Sequence, residues 1–461
     1  MKEMHKNIKE LEELDIKLLL WKYFLPAFTG VVVNALYNIV DRIFIGRGVD
    51  ALALSGLSAV FPLMLIIFAF GTLVAIGANV RISINMGKQE YKRAEWVLGN
   101  AITLGIIISI LLTLFGHIYR YPLLTLFGAG EKAMPYALEY FEYILFANVF
   151  GTLGFILNNA CRAEGNPKIA MYSLFISAGT NTLLDAIFII GLDMGVKGAA
   201  IATIIAQFVL CIWVICHFIS KRSVLKLHLS NLRPNRQIIY NILTIGFAPF
   251  SMQMAASAVQ AVLNTRLIQY GGELAVGAMG IINSIAQLLV MSIIAINIAS
   301  QPIIGFNYGA QHWLRVRKTL ILCLYSATIV ATLGCIITQL FPDAIVRIFN
   351  TDNPELLELG KEGLRKFTIL FPLIGFQIIT GSYYQSIGKA GIAAFLSLLR
   401  QVIILIPIIY ILPLYMGLDG VWLANPLSDL IAAIITAVFL VYVLKQLNKK
   451  KDYLCPNNKY S

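Results

Sequence analysis

The sequence predicts an all-α membrane protein with twelve transmembrane helices in two six-helix bundles related by a parallel internal repeat. Three observations lead to this fold class. Hydrophobic residues make up 58% of the chain and charged residues only 13%, and the mean hydropathy is +0.78, as expected for a chain that buries most of its surface in lipid. Apolar runs long enough to cross a bilayer recur along the chain. Landmarks of the first half reappear in the second half.

The predicted spans are apolar runs separated by polar loops, and each is near or above the roughly 20 residues that a spanning helix needs. In order they are 18–45, 52–84, 94–119, 136–158, 169–191, 198–219, 239–268, 275–300, 316–341, 363–387, 392–415 and 421–444.

Lysine and arginine are concentrated in alternate loops, which the positive-inside rule places in the cytoplasm. We therefore expect a multi-pass protein of the cell (inner) membrane with both termini cytoplasmic. The expected segments are a cytoplasmic surface helix at 1–17, an N-terminal bundle at 18–219, a cytoplasmic linker at 220–237, a C-terminal bundle at 238–445 and a cytoplasmic tail at 446–461. The net charge of +12 forms no stripe or nucleic-acid motif, so no nucleic-acid partner is predicted.

An internal repeat becomes visible when the two halves are compared at an offset of 222 or 223 residues. The matching positions are Pro26 with Pro249, Asn85 and Gly87 with Asn307 and Gly309, Gly165 with Gly388, and Met194, Gly195 and Gly198 with Met416, Gly417 and Gly420. Since six spans are an even number, both repeats enter the membrane from the same side. Two similar bundles around a cleft are the architecture that alternating access requires.

The first span carries polar residues on one face. Asn34, Asn38 and Asp41 lie at i, i+4 and i+7, so a helix presents them together. An ionisable residue within a span is costly and usually faces a cavity or an ion path. Asp41 is therefore the first candidate for function; the alternative is a helix-end aspartate paired with Arg42 or Arg47 at the outer surface.

The repeat and its motifs resemble the multidrug and toxic compound extrusion (MATE) family. The residues that carry the resemblance are P-x7-N-x2-Y-N-x2-D from Pro26 to Asp41, the N-x-G after the second span, and Ala163 to Pro167 with the pattern A-x-G-N-P. The resemblance covers nearly the whole chain. It implies efflux of amphipathic, often cationic compounds in exchange for sodium ions or protons.

A second polar group lies in spans five and six. Asn181 and Asp185 are one helical turn apart, and Thr203 follows early in span six. At 1.5 Å per residue, Asp41 and Asp185 lie roughly 28 and 25 Å above the inner boundary. Two carboxylates with amide and hydroxyl oxygens favour a proton or a hard cation. Asp41, Asn181, Asp185 and Thr203 are the predicted cation site, for a proton or for sodium, and the resemblance supports it; Asn181 is alternatively a hydrogen-bonding link between helices.

The second half differs from family members that carry a buried acid in span seven, because this span has only Gln253, Gln260 and Asn264. The sequence therefore gives little support for a C-terminal cation site. Asp429 in span twelve and Arg400 in span eleven are a predicted structural polar pair. Their levels, about 22 and 12 Å from the inner face, predict a loose or water-mediated pair.

Candidates for the substrate cavity or its gating are Pro26, Asn34, Tyr37, Asn38, Met252, Gln253 and Gln260. Proline in a helix permits a bend, which the resemblance relates to reshaping of the N-terminal cavity, although a fixed kink is equally consistent. Methionine and aromatic side chains suit an adaptable cavity, or they pack against helices and lipid.

These features predict an antiporter for small amphipathic molecules that needs no cofactor beyond the transported Na⁺ or H⁺ and no obligate protein partner. The alternative is a lipid-linked oligosaccharide flippase, which favours a buried cationic cluster. The sequence shows no such cluster: the other basic residues are assigned to loops or span ends, and only Arg81 and Arg400 remain. An enzyme or channel is a further alternative, but HExxH, nucleophile and Walker A motifs are absent. The cysteines have no metal-binding spacing and are expected to be reduced.

Overall fold

The described part of the chain folds into helices. The computed structural model describes residues 2–48, 51–349 and 353–454, and in these ranges every regular element is a helix. The chain divides into two compact units, Met1–Gln253 and Met254–Ser461. The all-α membrane fold predicted from the sequence is confirmed.

The first unit packs its helices around a core of large apolar side chains, including Leu124, Phe141 and Leu145. Its helices are α1 Lys2–Glu13, α2 Ile16–Gly48, α3 Ala51–Gly87, α4 Tyr91–Ile118, α5 Arg120–Leu126, α6 Met134–Ala163, α7 Pro167–Asp185, α8 Gly195–Ile219 and the beginning of α9 Arg236–Gly309.

The second unit has a separate core centred on Trp422, Leu267 and Ile282. It contains the rest of α9, in which Gly272 has non-helical backbone angles, followed by α10 Trp313–Leu340, α11 Pro342–Arg347, α12 Pro354–Thr368, α13 Phe371–Ser386, α14 Ala390–Leu398, α15 Leu405–Met416 and α16 Leu418–Leu454. Met279 also packs in this core.

Eleven helical segments of the described chain are long and apolar enough to cross a membrane, and α9 supplies two of them, one on each side of its break at Gly272. The pair α12 and α13 gives a twelfth if it counts as one span. This pair bends by 48°, whereas the sequence predicted one uninterrupted span at 363–387. Pro372 lies in the first turn of α13. Proline lacks a backbone donor, and in a continuous helix its ring would clash with the carbonyl of Thr368 four residues earlier, which is the last residue of α12.

The internal repeat is also present in the backbone of the turns. Matched residues adopt positive φ angles, which glycine reaches more readily than other residues. The pairs are Gln89 and Gln311 (φ 60° in both), Gly165 and Gly388 (102° and 77°), and Gly195 and Gly417 (57° and 58°). The similarity of the two halves therefore extends from sequence landmarks to local geometry.

Two glycines allow α3 to pack directly on the first part of α9. A Cβ atom at Gly246 would lie 1.7 Å from the Leu73 carbonyl oxygen, and one at Gly77 would lie 2.1 Å from the Ile242 carbonyl oxygen. Atoms never approach so closely, so backbone contact at this crossing requires glycine.

The segment between α8 and α9 is bonded to α4. Asn100 Nδ2 donates to the Asn231 carbonyl (3.3 Å) and its Oδ1 accepts from Asn235 N (2.6 Å). Thr103 Oγ1 donates to the Leu232 carbonyl (2.7 Å). The longest connection between spans of the first unit is thus fixed along the side of a helix.

The N-terminal segment forms the predicted helix α1. Leu11 is buried against the first unit, and Glu10 forms an ion pair with Lys22 of α2. These contacts attach α1 to the beginning of the first span.

Candidate cation site and other polar clusters

Three of the four predicted cation-site residues lie together in the first unit. Asn181 and Asp185 are one turn apart on α7, and Thr203 is on α8; all three are buried. Asn181 Nδ2 donates to Thr203 Oγ1 at 3.4 Å, which joins the two helices. The hydrogen bond also agrees with the alternative that Asn181 links helices.

The oxygens at this cluster are inaccessible to solvent. Both carboxylate oxygens of Asp185 and the amide oxygen of Asn181 are buried, and Asn181 Oδ1 accepts no hydrogen bond from any described residue. An unused buried acceptor is costly. It therefore remains available to a ligand that donates a proton or carries positive charge.

A π-helical turn follows directly after Asp185 and extends over Ala186–Gly191. A π-turn widens the helix by one residue and frequently occurs at functional sites. Asp185 is thus the last residue of the regular part of α7.

The fourth residue, Asp41, belongs to α2, but its side chain and that of Asn38 lie outside the described residues. The α2 backbone packs closely on α7: a Cβ at Gly30 would lie 2.8 Å from Leu174 Cδ1. The meeting of Asp41 with Asp185 therefore stays a prediction.

Chemically, the cluster offers a carboxylate, an amide oxygen and a hydroxyl. Burial disfavours a bare carboxylate. Oxygen ligands of this type suit a proton or a hard cation such as Na⁺.

The residues predicted to line or gate a cavity lie in different places. In α2, Pro26 is buried within the continuous helix, Asn34 is exposed and Tyr37 is half-buried. Met252 is exposed and Gln253 half-buried at the end of the first unit.

In the second unit, Gln260 is exposed and belongs to a group of amides. Its Nε2 donates to Asn264 Oδ1 (2.9 Å), and Asn283 Nδ2 donates to its Oε1 (3.3 Å). Gln260 and Asn264 of span seven therefore form a hydrogen-bonded surface with Asn283 of span eight.

Arg400 and Asp429 form a direct ion pair, in which Arg400 Nε donates to Asp429 Oδ1. The pairing was predicted, but the expectation of a loose or water-mediated contact was wrong. The predicted difference in depth between the two residues assumed straight α-helices, whereas Arg400 lies in a second π-helical turn, Leu399–Ile404. A π-turn changes both the rise and the direction of the side chains, and the long arginine side chain covers the remaining distance.

A buried cluster around Glu164 was not identified from the sequence. Its carboxylate accepts hydrogen bonds from Asn166 Nδ2 (2.8 Å), Ser223 Oγ (2.7 Å) and Leu225 N (3.3 Å), and it also contacts His217 Nε2. Glu164 thereby joins the ends of α6 and α8 to the following loop. Its place between Ala163 and Gly165 in the motif was the available signal.

Cys161 lies beside this cluster: its sulfur and the ligand atoms of Glu164 and His217 are all within 4.8 Å of one another. These residue types also bind transition metals. Because the carboxylate is already used by protein donors, the described contacts favour a structural role for Glu164.

Comparison with known proteins agrees with the repeat. The MatE family model matches the chain twice, at residues 26–187 and 249–411. The two matches correspond to the two halves related by the repeat and together cover most of the chain.

Curated relatives and solved structures cover nearly all of the chain. It is 25% identical to the multidrug export protein MepA of Staphylococcus haemolyticus (strain JCSC1435), over 94% of this chain and 95% of the relative, and 26% identical to MepA of Staphylococcus aureus (strain MSSA476), over 92% and 93%. The MATE multidrug transporter DinF-BH, whose structure was solved as a complex, is 37% identical, with a TM-score of 0.86 over 92% of this chain and 95% of that one. An outward-facing MATE transporter of the MOP superfamily shares the fold at a TM-score of 0.89, with 24% identity over 96% and 99%. With both halves matched by the family model, the chain belongs to the MatE family and is a membrane transporter, not an enzyme.

Proposed function

We propose that this chain exports amphipathic, often cationic organic compounds in exchange for Na⁺ or H⁺. The relatives named as multidrug export proteins support the export of small molecules, as does the 37%-identical multidrug transporter DinF-BH. The observation that carries the coupling is the buried cluster of Asn181, Asp185 and Thr203, which offers oxygen ligands to a cation inside a membrane protein.

The proposed coupling site is completed by Asp41. A second carboxylate close to Asp185 would raise the affinity of the pair for one proton, because two nearby anions disfavour each other. The same pair with Asn181 Oδ1 and Thr203 Oγ1 would provide an oxygen shell for Na⁺. Occupation by the cation would then oppose occupation by a cationic substrate nearby.

Both termini are proposed to be cytoplasmic, with the N-terminal bundle at 18–219 and the C-terminal bundle at 238–445. In this arrangement the repeated bundles would expose the site alternately to the two sides. One positive charge crossing about 100 mV supplies about 2.3 kcal/mol, which corresponds to roughly a 50-fold substrate gradient. This applies to an uncharged substrate exchanged for one cation. One-for-one exchange of a monovalent cationic substrate moves no net charge, so the Na⁺ or H⁺ concentration gradient must then drive export.

Transport in everted membrane vesicles tests the coupling. A fluorescent cationic dye is supplied, and Na⁺ and pH gradients are imposed separately. We expect Asp185→Asn to abolish gradient-driven dye movement, since an amide keeps the shape of the carboxylate but not its charge. Asp193→Asn is the matched control, because Asp193 is exposed after the same helix and its positive φ (51°) tolerates asparagine. Unchanged transport by the Asp185 variant would exclude this cluster from coupling.

Asp41→Asn tests the fourth member in the same vesicles, and we expect it to abolish coupled efflux with normal expression. Calorimetry of the purified protein adds an equilibrium test, because a drug and a competing cation must weaken each other by the same factor. Drug affinity that is independent of both pH and Na⁺ would contradict a shared site.

A further inference from the structure

The second unit contains a cavity of about 130 Å³ around the Arg400–Asp429 ion pair. Its apolar lining includes Phe367, Phe371, Ile374 and Val290, and its polar lining consists of Arg400, Asp429 and Asn425. A cavity of about 150 Å³ lined by apolar side chains holds one benzene molecule. The space is thus of the right order for a single aromatic ring.

The two charges are not equally exposed to this space. The Asp429 side chain is 3% exposed and the Arg400 side chain is 26% exposed. Arg400 uses Nε for the ion pair, and no described residue accepts a hydrogen bond from its two terminal nitrogens. The cavity therefore presents guanidinium donors to an occupant, while the compensating carboxylate is almost fully buried.

The pair is held in place by bonds to its backbone. Gln377 Nε2 of α13 donates to the Asp429 carbonyl (2.8 Å), and Ser428 Oγ donates to the Arg400 carbonyl (2.8 Å). Three elements thus fix the donors, so little ordering is required when a ligand binds.

The charge balance selects the class of ligand. Arg400 is neutralised by Asp429, and a charged occupant would introduce an unbalanced charge into a poorly solvated space. An uncharged head group that accepts hydrogen bonds satisfies the guanidinium without this cost. The rings of Phe367 and Phe371 meet edge to face, 6.0 Å between centroids, and such a pair favours a planar aromatic partner.

We propose that this cavity binds small uncharged aromatic compounds with a carbonyl or amide head group, through the terminal nitrogens of Arg400 and the amide of Asn425. This site consists of second-unit residues, whereas Asn181, Asp185 and Thr203 belong to the first unit. The proposal does not depend on cation coupling or on the export of cationic compounds.

Three fluorinated probes of nearly identical shape test the proposal: 4-fluorobenzamide (neutral), 4-fluorobenzoate (anionic) and 4-fluorobenzamidine (cationic). Binding to the purified full-length protein in nanodiscs is measured by ¹⁹F NMR against empty nanodiscs. For about ten heavy atoms we expect the benzamide to bind with a Kd of about 0.1–1 mM. Both charged probes should bind at least about tenfold more weakly. No benzamide binding above the empty nanodiscs, or equal binding of all three probes, would overturn the proposal.

Ala286→Phe tests the location, because Ala286 lines the cavity and the added ring would occupy the space of the ligand. Binding of the benzamide should be lost. Leu288→Phe is the matched control, since Leu288 lies two residues away on the same helix with an exposed side chain; it should bind like wild type. Benzamide binding that persists in the Ala286 variant would refute the assignment to this cavity.

Asp429→Asn tests the charge argument in folded protein, which is verified by monodisperse gel filtration. With Arg400 no longer neutralised, the order of affinity should reverse so that the benzoate binds more tightly than the benzamide. Arg81→Gln changes an arginine of α3 in the first unit and should leave the order unchanged. An unaltered preference in folded Asp429→Asn would show that the ion pair does not select the ligand.

Discussion

Replacing Glu164 by alanine should open the ends of α6 and α8. Two of its donors would not be left buried and unsatisfied. Ser223 Oγ also donates to the Leu225 carbonyl (2.6 Å), and Asn166 is only half-buried, so its amide can reach solvent. The Leu225 N–H and the His217 ring would lose a buried acceptor. At about 1–3 kcal/mol for each unsatisfied donor, the cost is about 2–6 kcal/mol.

Cys161 reports this opening, because it is fully buried one turn before Glu164. With the other cysteines replaced by serine, maleimide labelling of Cys161 requires local opening, and its rate follows the opening equilibrium. A loss of 2 kcal/mol raises the rate at least about 25-fold. The assay is labelling followed by mass spectrometry of the protein in nanodiscs.

Two further variants calibrate the result. Ser223→Ala removes one donor and should accelerate labelling by only about fivefold, which corresponds to about 1 kcal/mol. Glu131→Ala changes an exposed acid in the segment before α6 and should leave the rate unchanged. If Glu164→Ala labels within about threefold of its parent, the contacts of Glu164 do not hold these helix ends together.

Gly246→Ala should destabilise the first unit by about 3 kcal/mol, because its Cβ would lie 1.7 Å from the Leu73 carbonyl oxygen; thermal inactivation measures this, and Gly179→Ala, with nothing within 4 Å, is the control. The hydrogen bond from Arg347 holds the pKa of Asp343 below its usual value, and Lys361 adds to this effect. The resulting stabilisation is present above the unfolded-state pKa and is lost as the pH falls through the folded-state value. The hydrogen-exchange protection factors of α11, which are corrected for the intrinsic exchange rate, should therefore fall at acidic pH, and Asp343→Asn should remove that dependence. Substantial efflux should survive serine replacement of all six cysteines, and activity restored only by an oxidised pair would contradict this; the residues are Cys161, Cys211, Cys216, Cys323, Cys335 and Cys455.

The sequence predicts the spans and part of the site because both depend on local patterns. Long apolar runs must be helical in lipid, since no water satisfies their backbone groups. Asn181 and Asp185 share a helical face through their spacing alone. The meeting with Thr203 followed from similar depth in neighbouring spans, and the structure confirms that Asn181 and Thr203 are in contact.

Features that depend on helix irregularity or on chain return were not predictable in this way. The distance between Arg400 and Asp429 depends on a π-turn, for which the sequence has no simple periodic signal. The cluster at Glu164 depends on a loop that returns more than fifty residues later to place Ser223 and Leu225 beside it. A depth calculated at 1.5 Å per residue includes neither the π-turn nor the returning loop.

The loop bonded to α4 has a mechanical consequence. A long connection between repeated halves is ordinarily a flexible linker, which tolerates insertion and proteolytic cleavage. Here three residues of the loop are hydrogen-bonded to α4, namely Asn231, Leu232 and Asn235. This stretch is therefore fixed to the first unit and moves together with it. The slack of a free linker is therefore not available at these residues. An affinity tag inserted at 229–235 would accordingly disturb α4 before it disturbed the connection itself.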